Sequence, residues 1–299
     1  MLRALVGPTA SGKTEAGIVL AEALDAEIVS VDSMLVYRGM DVGTAKPTSA
    51  DRVRVPHHLL DLADPFERFT VSRYQAAARE VLGRVERPLL VGGSGLYFRA
   101  VVDDLAFPPE DAEIRRELET EAATLGASRL YERLERTDPP AASRIEPANV
   151  RRTVRALEVA ALTGEPFSAF AESWDHYDGT RVRAAGVRLE RPVLLERIRA
   201  RIDAMLRAGW LDEVRALREH GFGNRLTSSQ AIGYAELAEH LDGRLSLDEA
   251  IERTVSRTKE LCRRQMAWFS KDPRIAWFDV GRGGAMDAVG AIRTYLEAA

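Results

Sequence analysis

Apolar residues fall along this chain in two rhythms. Short, nearly unbroken apolar runs occupy residues 2–6, 27–31, 87–91 and 183–189. Between and after them stand longer stretches with apolar residues three or four apart. Examples are 14–24, with Ala16, Ile18, Val19, Leu20, Ala23 and Leu24, and 70–84, with Val71, Tyr74, Ala78, Val81 and Leu82. The first rhythm predicts strands buried on both faces, the second amphipathic helices. Their alternation predicts an α/β fold with a parallel sheet core flanked by helices. A short strand at 57–61 and a last one at 274–278 extend the sheet. Ligands of such sheets collect beyond the carboxyl ends of the strands. The residues that follow 2–6 and 27–31 should therefore face one cleft. Residues 33–56 follow neither rhythm and are expected to be an irregular loop, which at that length is usually functional.

The pattern changes after Pro108-Pro109. Residues 111–125, 127–136, 139–145 and 148–163 read as successive helices, and 164–179 as a loop. This predicts an all-helical insertion, 110–182, in a core built from 1–109 and 183–299. Further helices are expected at 193–208, 211–221 and 247–269. Segment 129–155 carries Arg129, Arg133, Arg136, Arg144, Arg151, Arg152 and Arg155 against Glu132, Glu135, Asp138 and Glu146. Two readings stand. A locally basic helical insertion is a nucleic-acid face, or it is the solvated surface of an arginine-rich chain, since only four of the 42 basic residues are lysine.

Composition narrows the classes. The net charge of −4 gives no global basic field to advertise nucleic acid. A single cysteine, Cys262, builds neither a disulfide framework nor a zinc site. No run of 18 apolar residues exists, so no membrane span is expected. The chain enters its first strand at once, so no signal peptide is expected and a cytoplasmic protein is.

The strongest chemical signal follows the first strand: Gly7-Pro8-Thr9-Ala10-Ser11-Gly12-Lys13-Thr14. This is G-x-x-x-x-G-K-[ST] between a strand and a helix, the setting the motif requires. Backbone N–H groups and a helix N-terminus cradle an anion, Lys13 adds a point charge, and the Thr14 hydroxyl can ligate Mg²⁺. The expected core is therefore P-loop NTPase-like. An ATPase or GTPase usually adds an acidic Mg²⁺ ligand at the end of a second strand. Here residues 89–91 run into Gly92-Gly93 instead. Asp32 is the carboxylate set at a strand end beside the loop, suited to be a Mg²⁺ partner or a general base.

Several blocks together resemble the bacterial tRNA dimethylallyltransferases, the IPP transferase family. They are the phosphate loop, Val31-Asp32-Ser33 with Tyr37, Asp41-Val42-Gly43-Thr44-Ala45-Lys46-Pro47, Pro56-His57-His58-Leu59-Leu60-Asp61, and Gly92-Gly93-Ser94-Gly95-Leu96-Tyr97. Arg155-Ala156-Leu157-Glu158, Glu213-Val214-Arg215, Ile232-Gly233-Tyr234 and Arg263-Arg264-Gln265 with Trp268-Phe269 extend the likeness to about residue 280. The resemblance implies prenylation of the exocyclic N6 of the adenosine just 3′ of the anticodon, position 37, in tRNAs reading codons that begin with U. Dimethylallyl diphosphate is the implied donor, and its diphosphate is expected in the loop in place of ATP, with Mg²⁺ as cofactor. It further implies catalytic roles for Asp32 as base, Ser94 at the acceptor and Arg215 at the leaving group. The tRNA contacts it implies are Asp32, Ser33, Met34, Leu35, Ser94, Arg115, Arg151, Arg152, Thr153, Val154, Arg155, Gln230, Ala231, Ile232, Gly233 and Tyr234. One departure is visible. The family's Q-R-L-x-R reads Arg151-Arg152-Thr153-Val154-Arg155 here, so a base contact by that glutamine is not implied for this chain, and a phosphate contact by Arg151 is the alternative. A monomer is expected. Three rival readings are a P-loop kinase, a prenyltransferase acting on free AMP, and a non-catalytic RNA-binding protein with a relict loop. The helical insertion and the basic 253–264 helix argue against the first two, and intact Lys13, Thr14 and Asp32 against the third.

Overall fold

The computed structural model describes residues 1–170, 176–223 and 227–298. Residues 171–175 of the expected loop 164–179 lie outside these. The described chain divides into two compact units, Met1–Asp104 with Asp178–Ala299, and Leu105–Tyr177. The breaks fall about five residues before the expected 109/110 and 182/183.

In the first unit six strands form one sheet in the order β3-β2-β4-β1-β5-β6. They are β1 (Leu2–Val6), β2 (Glu27–Ser30), β3 (His57–His58), β4 (Pro88–Gly92), β5 (Val182–Leu189) and β6 (Ile275–Val280). All neighbouring pairs are parallel. Side chains alternate between two cores, which is why the strands read as unbroken apolar runs. Ala4, Val6, Val29 and Leu90 enter one core, whereas Leu5, Ile28, Leu89 and Val91 enter the other.

The helices, in chain order, are α1 (Lys13–Leu24), α2 (Ser49–Arg54), α3 (Val71–Leu82), α4 (Gly95–Val102), α5 (Ala112–Leu125), α6 (Ala127–Thr137), α7 (Pro139–Ala142), α8 (Val150–Thr163), α9 (Arg191–Arg207), α10 (Trp210–Glu219), α11 (Tyr234–Leu241), α12 (Leu247–Phe269) and α13 (Val289–Glu297). Helices α1 and α13 supply the core on one face of the sheet, where Ala16, Leu20, Ile292 and Leu296 are fully buried or nearly so. Helices α3, α4, α9 and α12 supply the other, with Tyr74, Phe98, Ile198 and Phe269.

Helix α2 corrects the expectation that 33–56 is irregular throughout. Thr48 and Asp51 form a reciprocal capping box, each side chain accepting from the other's backbone N–H. The T-x-x-D spacing was the local signal for it. Helices α4, α11 and α13 also lie beyond the expected set, and the expected strand 57–61 shortens to two residues because Leu59 and Asp61 take positive φ.

The second unit, α5 to α8, packs around Leu118, Leu130, Leu134, Val154 and Leu157. Glu158, a buried acid of this unit, has no exposed surface. It accepts from the Asp111 amide at 2.8 Å, from Arg115 at 2.5 and 3.1 Å and from Arg155 at 3.0 Å. Two cations and an amide are what a carboxylate in that position requires.

Candidate functional site

Strand β1 ends at Val6, and the chain turns through Gly7 to Gly12 before α1 begins at Lys13. Ala10 and Gly12 both take positive φ, which curls the loop over the helix N-terminus. The loop is tied down from outside. The Thr9 amide donates to Gln265 Oε1 at 2.8 Å, and Gln265 Nε2 donates to the Gly93 carbonyl at 2.9 Å. Arg197 Nε donates to the Ala10 carbonyl at 2.7 Å, and the Ala285 amide to the Ser11 carbonyl at 2.8 Å. Helices α9 and α12, distant in sequence, thus hold the shape of a motif that is local.

The loop floors a cleft of about 980 Å³. Thr9 through Thr14 line it, together with Asp32 and Leu35 after β2, Gly92-Gly93 after β4, Arg197 and Arg201 of α9, and Gln265. Phosphate loop and Asp32 therefore share one cavity, as the strand-end rule predicts. Gly92 stands beside Val6 in the sheet, so the strand end next to the loop carries glycines where a nucleotide hydrolase carries an acid.

Lys13 is buried, and its ammonium donates to the Pro8 carbonyl at 2.5 Å and to Ser11 Oγ at 3.3 Å. Burial first, then the positive charge of Arg201, lower its pKa from 10.5 to about 8, while Asp32 and Cys262 act the other way. Arg201 is half-buried and donates to the Thr44 carbonyl at 3.1 Å. Burial disfavours its charge, and Asp32 supports it. Lys13, Arg201 and Asp32 thus form one electrostatic group. Asp32 Oδ1 accepts from the Met34 amide at 2.8 Å, which sets the carboxylate's orientation.

Cys262, the lone cysteine, is buried, and its thiol donates to the Thr9 carbonyl at 3.7 Å. Burial pushes the thiol up to about 11, so it is protonated at neutral pH. The Thr14 hydroxyl is exposed in the first turn of α1. Among the described residues no three His, Cys, Asp or Glu side chains gather to cage a metal. A hydroxyl and a carboxylate beside a phosphate site nonetheless fit Mg²⁺, which takes few protein ligands and shares phosphate oxygens and water.

The remaining expected residues divide. Ser94 caps α4, with its amide on the Val31 carbonyl at 3.1 Å, so it stands next to Asp32. Arg115 and Arg155 are half-buried on Glu158, and Arg155 also donates to the Pro108 and Pro109 carbonyls. Arg151 and Arg152 lie on the exposed face of α8, and Gln230 is exposed.

Five of the expected contacts are buried or lie outside the cleft. Thr153 and Val154 are 1% and 2% exposed, because on a helix they face inward with Leu157. Ala231 and Tyr234 are likewise buried, Tyr234 completely. Arg215 lies outside the cleft, on the exposed side of α10, paired with Asp212. Among the arginines that line the cleft, Arg197 and Arg201 stand one turn apart on α9, whereas Arg52 and Arg54 come from α2. Sequence reasoning passed over the α9 pair, and in an arginine-rich chain its i,i+4 spacing was the only hint.

The local excess of arginine in 129–155 is also partly spent. Arg129 pairs with Glu132, and Arg133 with Glu121, an acid outside that window.

Comparisons with known proteins agree with this geometry. A family model described as IPP transferase matches residues 35–272, and one described as isopentenyl transferase matches residues 1–58. A tRNA dimethylallyltransferase of Nocardioides sp. is 48% identical over 299 residues, covering 98% of this chain and 96% of the relative. One of Streptomyces coelicolor is 48% identical over 283 residues, covering 93% and 90%. The solved tRNA isopentenylpyrophosphate transferase of Bacillus halodurans superposes with a TM-score of 0.69 at 38% identity, covering 99% of this chain and 97% of the other. A eukaryotic dimethylallyltransferase shares the fold, with a TM-score of 0.77 at 23% identity, covering 98% of this chain and 77% of its own.

Proposed function

This chain belongs to the IPP transferase family, and from that premise we propose that it is a tRNA dimethylallyltransferase. It moves the dimethylallyl group of dimethylallyl diphosphate to N6 of the adenosine 3′ of the anticodon, releasing diphosphate. The observation that carries the reading is the single cleft in which Lys13, Arg201 and Asp32 meet over the phosphate loop.

The chemistry asks for that grouping. The lone pair of adenine N6 is delocalised into the ring, so N6 is a weak nucleophile. The allylic C–O bond therefore breaks with cationic character at carbon, and negative charge grows on the departing diphosphate. Loop N–H groups, Lys13 and Arg201 are preorganised to meet that charge. Arg201 takes the part expected of Arg215. The Thr14 hydroxyl would hold Mg²⁺, which when bound would supply further neutralisation of the leaving group. As C–N forms, N6 gives up a proton, and Asp32 accepts it. Ser94, beside Asp32, offers a hydroxyl to the acceptor base.

A base stacked in an anticodon loop cannot enter such a cleft, so the adenosine is flipped out to reach it. Ser33, Met34 and Leu35 flank the flipped base. Arg151, Arg152 and Gln230 supply exposed polar and basic contacts to the RNA. The enzyme acts as a monomer in the cytoplasm. No helix among the described residues is long and apolar enough to cross a membrane.

The test uses labelled dimethylallyl diphosphate, Mg²⁺ and either an anticodon stem-loop with A-A-A at the acceptor site or free AMP. Label on the stem-loop alone is the expected result. Label on AMP alone moves the chain to the adenylate-prenylating class. No label on either, with ATP bound or hydrolysed, returns it to the kinases.

A further inference from the structure

Two sequence blocks, E-V-R at 213–215 and I-G-Y at 232–234, put no residue into the cleft, yet they meet each other. Glu213 Oε1 accepts from the Tyr234 hydroxyl at 2.6 Å and from the Gly43 amide at 3.1 Å. Its Oε2 accepts from the Asp41 and Val42 amides at 2.8 and 2.7 Å. Three consecutive backbone N–H groups on one carboxylate form a charge-assisted clamp.

The turn held by this clamp sits directly on a platform of aromatic rings. A Cβ at Gly43 would stand 1.9 Å from Trp210 Nε1 and 2.6 Å from Tyr234 Cε2. A Cβ at Gly233 would stand 2.0 Å from Trp210 Cη2, so the platform itself closes only over glycine. Within the turn, the Ala45 and Lys46 amides donate back to the Val42 and Asp41 carbonyls. The buried Lys46 ammonium pins its far end, reaching the Tyr37 carbonyl at 2.6 Å, Asp41 at 2.6 Å and Asp61 at 2.7 Å.

The turn ends at the carbonyl of Thr44, which receives the Arg201 guanidinium. A half-buried arginine with other positive charge beside it has little reason to stay in place without such an acceptor. We propose that Glu213 is a positioning residue for the transfer reaction. It clamps turn 41–45 so that the Thr44 carbonyl aims Arg201 at the departing diphosphate. The inference rests on the proposed function for the identity of the anion, but on the geometry alone for the clamp.

The experiment is a double-mutant cycle of Glu213→Ala and Arg201→Gln, read as inorganic diphosphate affinity by calorimetry and as kcat/KM for dimethylallyl diphosphate. Arg201→Gln lowers kcat/KM by about 10²–10³-fold, the usual worth of one preorganised donor to developing charge. Glu213→Ala lowers it by about 10–10²-fold, as misplacement of a charge-stabilising group does. The double variant is no worse than Arg201→Gln alone, because both changes remove the same guanidinium. A purely structural role makes the two losses multiply, and that result overturns the proposal, as does wild-type diphosphate affinity in Glu213→Ala.

Should Glu213→Ala not fold, Tyr234→Phe removes one of the four hydrogen bonds and leaves the backbone clamp. It loses about 2–10-fold, the net worth of one hydrogen bond, and loses nothing further in the Arg201→Gln background. Multiplicative losses in that cycle overturn the proposal equally. If the wild type binds diphosphate but prenylates nothing, the function fails while the diphosphate cycle still decides the clamp.

Discussion

Lys13 should take up a proton when the donor binds, and the structure sets how much. In the free protein its ammonium is buried among loop groups, with the Pro8 carbonyl and Ser11 hydroxyl as partners and Arg201 as an opposing charge. These surroundings bring its pKa to about 8. A diphosphate placed against it restores the missing countercharge and raises the pKa again. Uptake therefore equals the neutral fraction of Lys13 before binding, about 0.1 proton at pH 7 and about 0.75 at pH 8.5. Diphosphate changes its own protonation as well, so the quantity to read is the difference between the wild type and Lys13→Met.

Calorimetric titration of inorganic diphosphate, in two buffers of different ionisation enthalpy at each pH, measures that difference. Affinity of the wild type should weaken as pH rises through 8, and the Lys13 component should be absent from the variant. A difference near zero at pH 8.5 would refute the reasoning, because it would mean that the ammonium stays charged in the empty cleft. Stability carries the same signature with a definite sign. A lysine whose folded pKa is lowered binds fewer protons folded than unfolded between about 8 and 10.5. Stability therefore rises with pH across that window, by on the order of 3 kcal/mol at most, and Lys13→Met should lack the rise.

The other predictions concern the base, the arginines and the ion. Asp32→Ala should lower turnover by about 10²–10⁴-fold with stem-loop affinity little changed, and equal turnover would remove Asp32 as the base. Arg152→Ala should reduce the salt slope of stem-loop binding by about one, since it loses one phosphate contact, whereas an unchanged slope leaves that side chain in solvent. Arg155→Ala should act first on stability, by about 1–3 kcal/mol in urea unfolding, because buried Glu158 loses one of its two arginines; a wild-type midpoint would refute this. Chelation with EDTA should abolish prenyl transfer and added Mg²⁺ restore it, and undiminished transfer in EDTA would dismiss the ion.

Much of the fold was legible because its signals are local. Apolar runs of strand length separated by 3.6-period stretches leave few architectures open. A phosphate loop is a strand, a glycine turn and a helix start in fourteen consecutive residues, so its geometry needs no distant partner to be foreseen. Asp32 followed from the same rule, as a carboxylate one step past a strand end. Helix α2 was equally local, written in Thr48 and Asp51, but hidden inside a stretch without apolar period. The burial of Thr153 and Val154 was within reach too, since the period that makes α8 a helix turns them inward with Leu157.

Tertiary structure alone decided which cations serve the cleft and what the outlying motifs do. Thirty-eight arginines look alike in a sequence, and the direction of each is set by what packs against its helix. Arg201 reaches the cleft because α9 crosses the sheet beside α12, whereas Arg215 turns outward on α10 to Asp212. Glu213, which accepts from Tyr234, is a neighbour of Asp41–Gly43 only after 170 or more residues of chain have been folded between them. The sequence by itself determined the strands, the helices and the anion loop, because hydrophobic period and glycine turns act over a few residues. The partners of Lys13, Arg201, Glu213 and Gln265 belong to the folded state, because electrostatic and hydrogen-bond partners are chosen by distance in space and not along the chain.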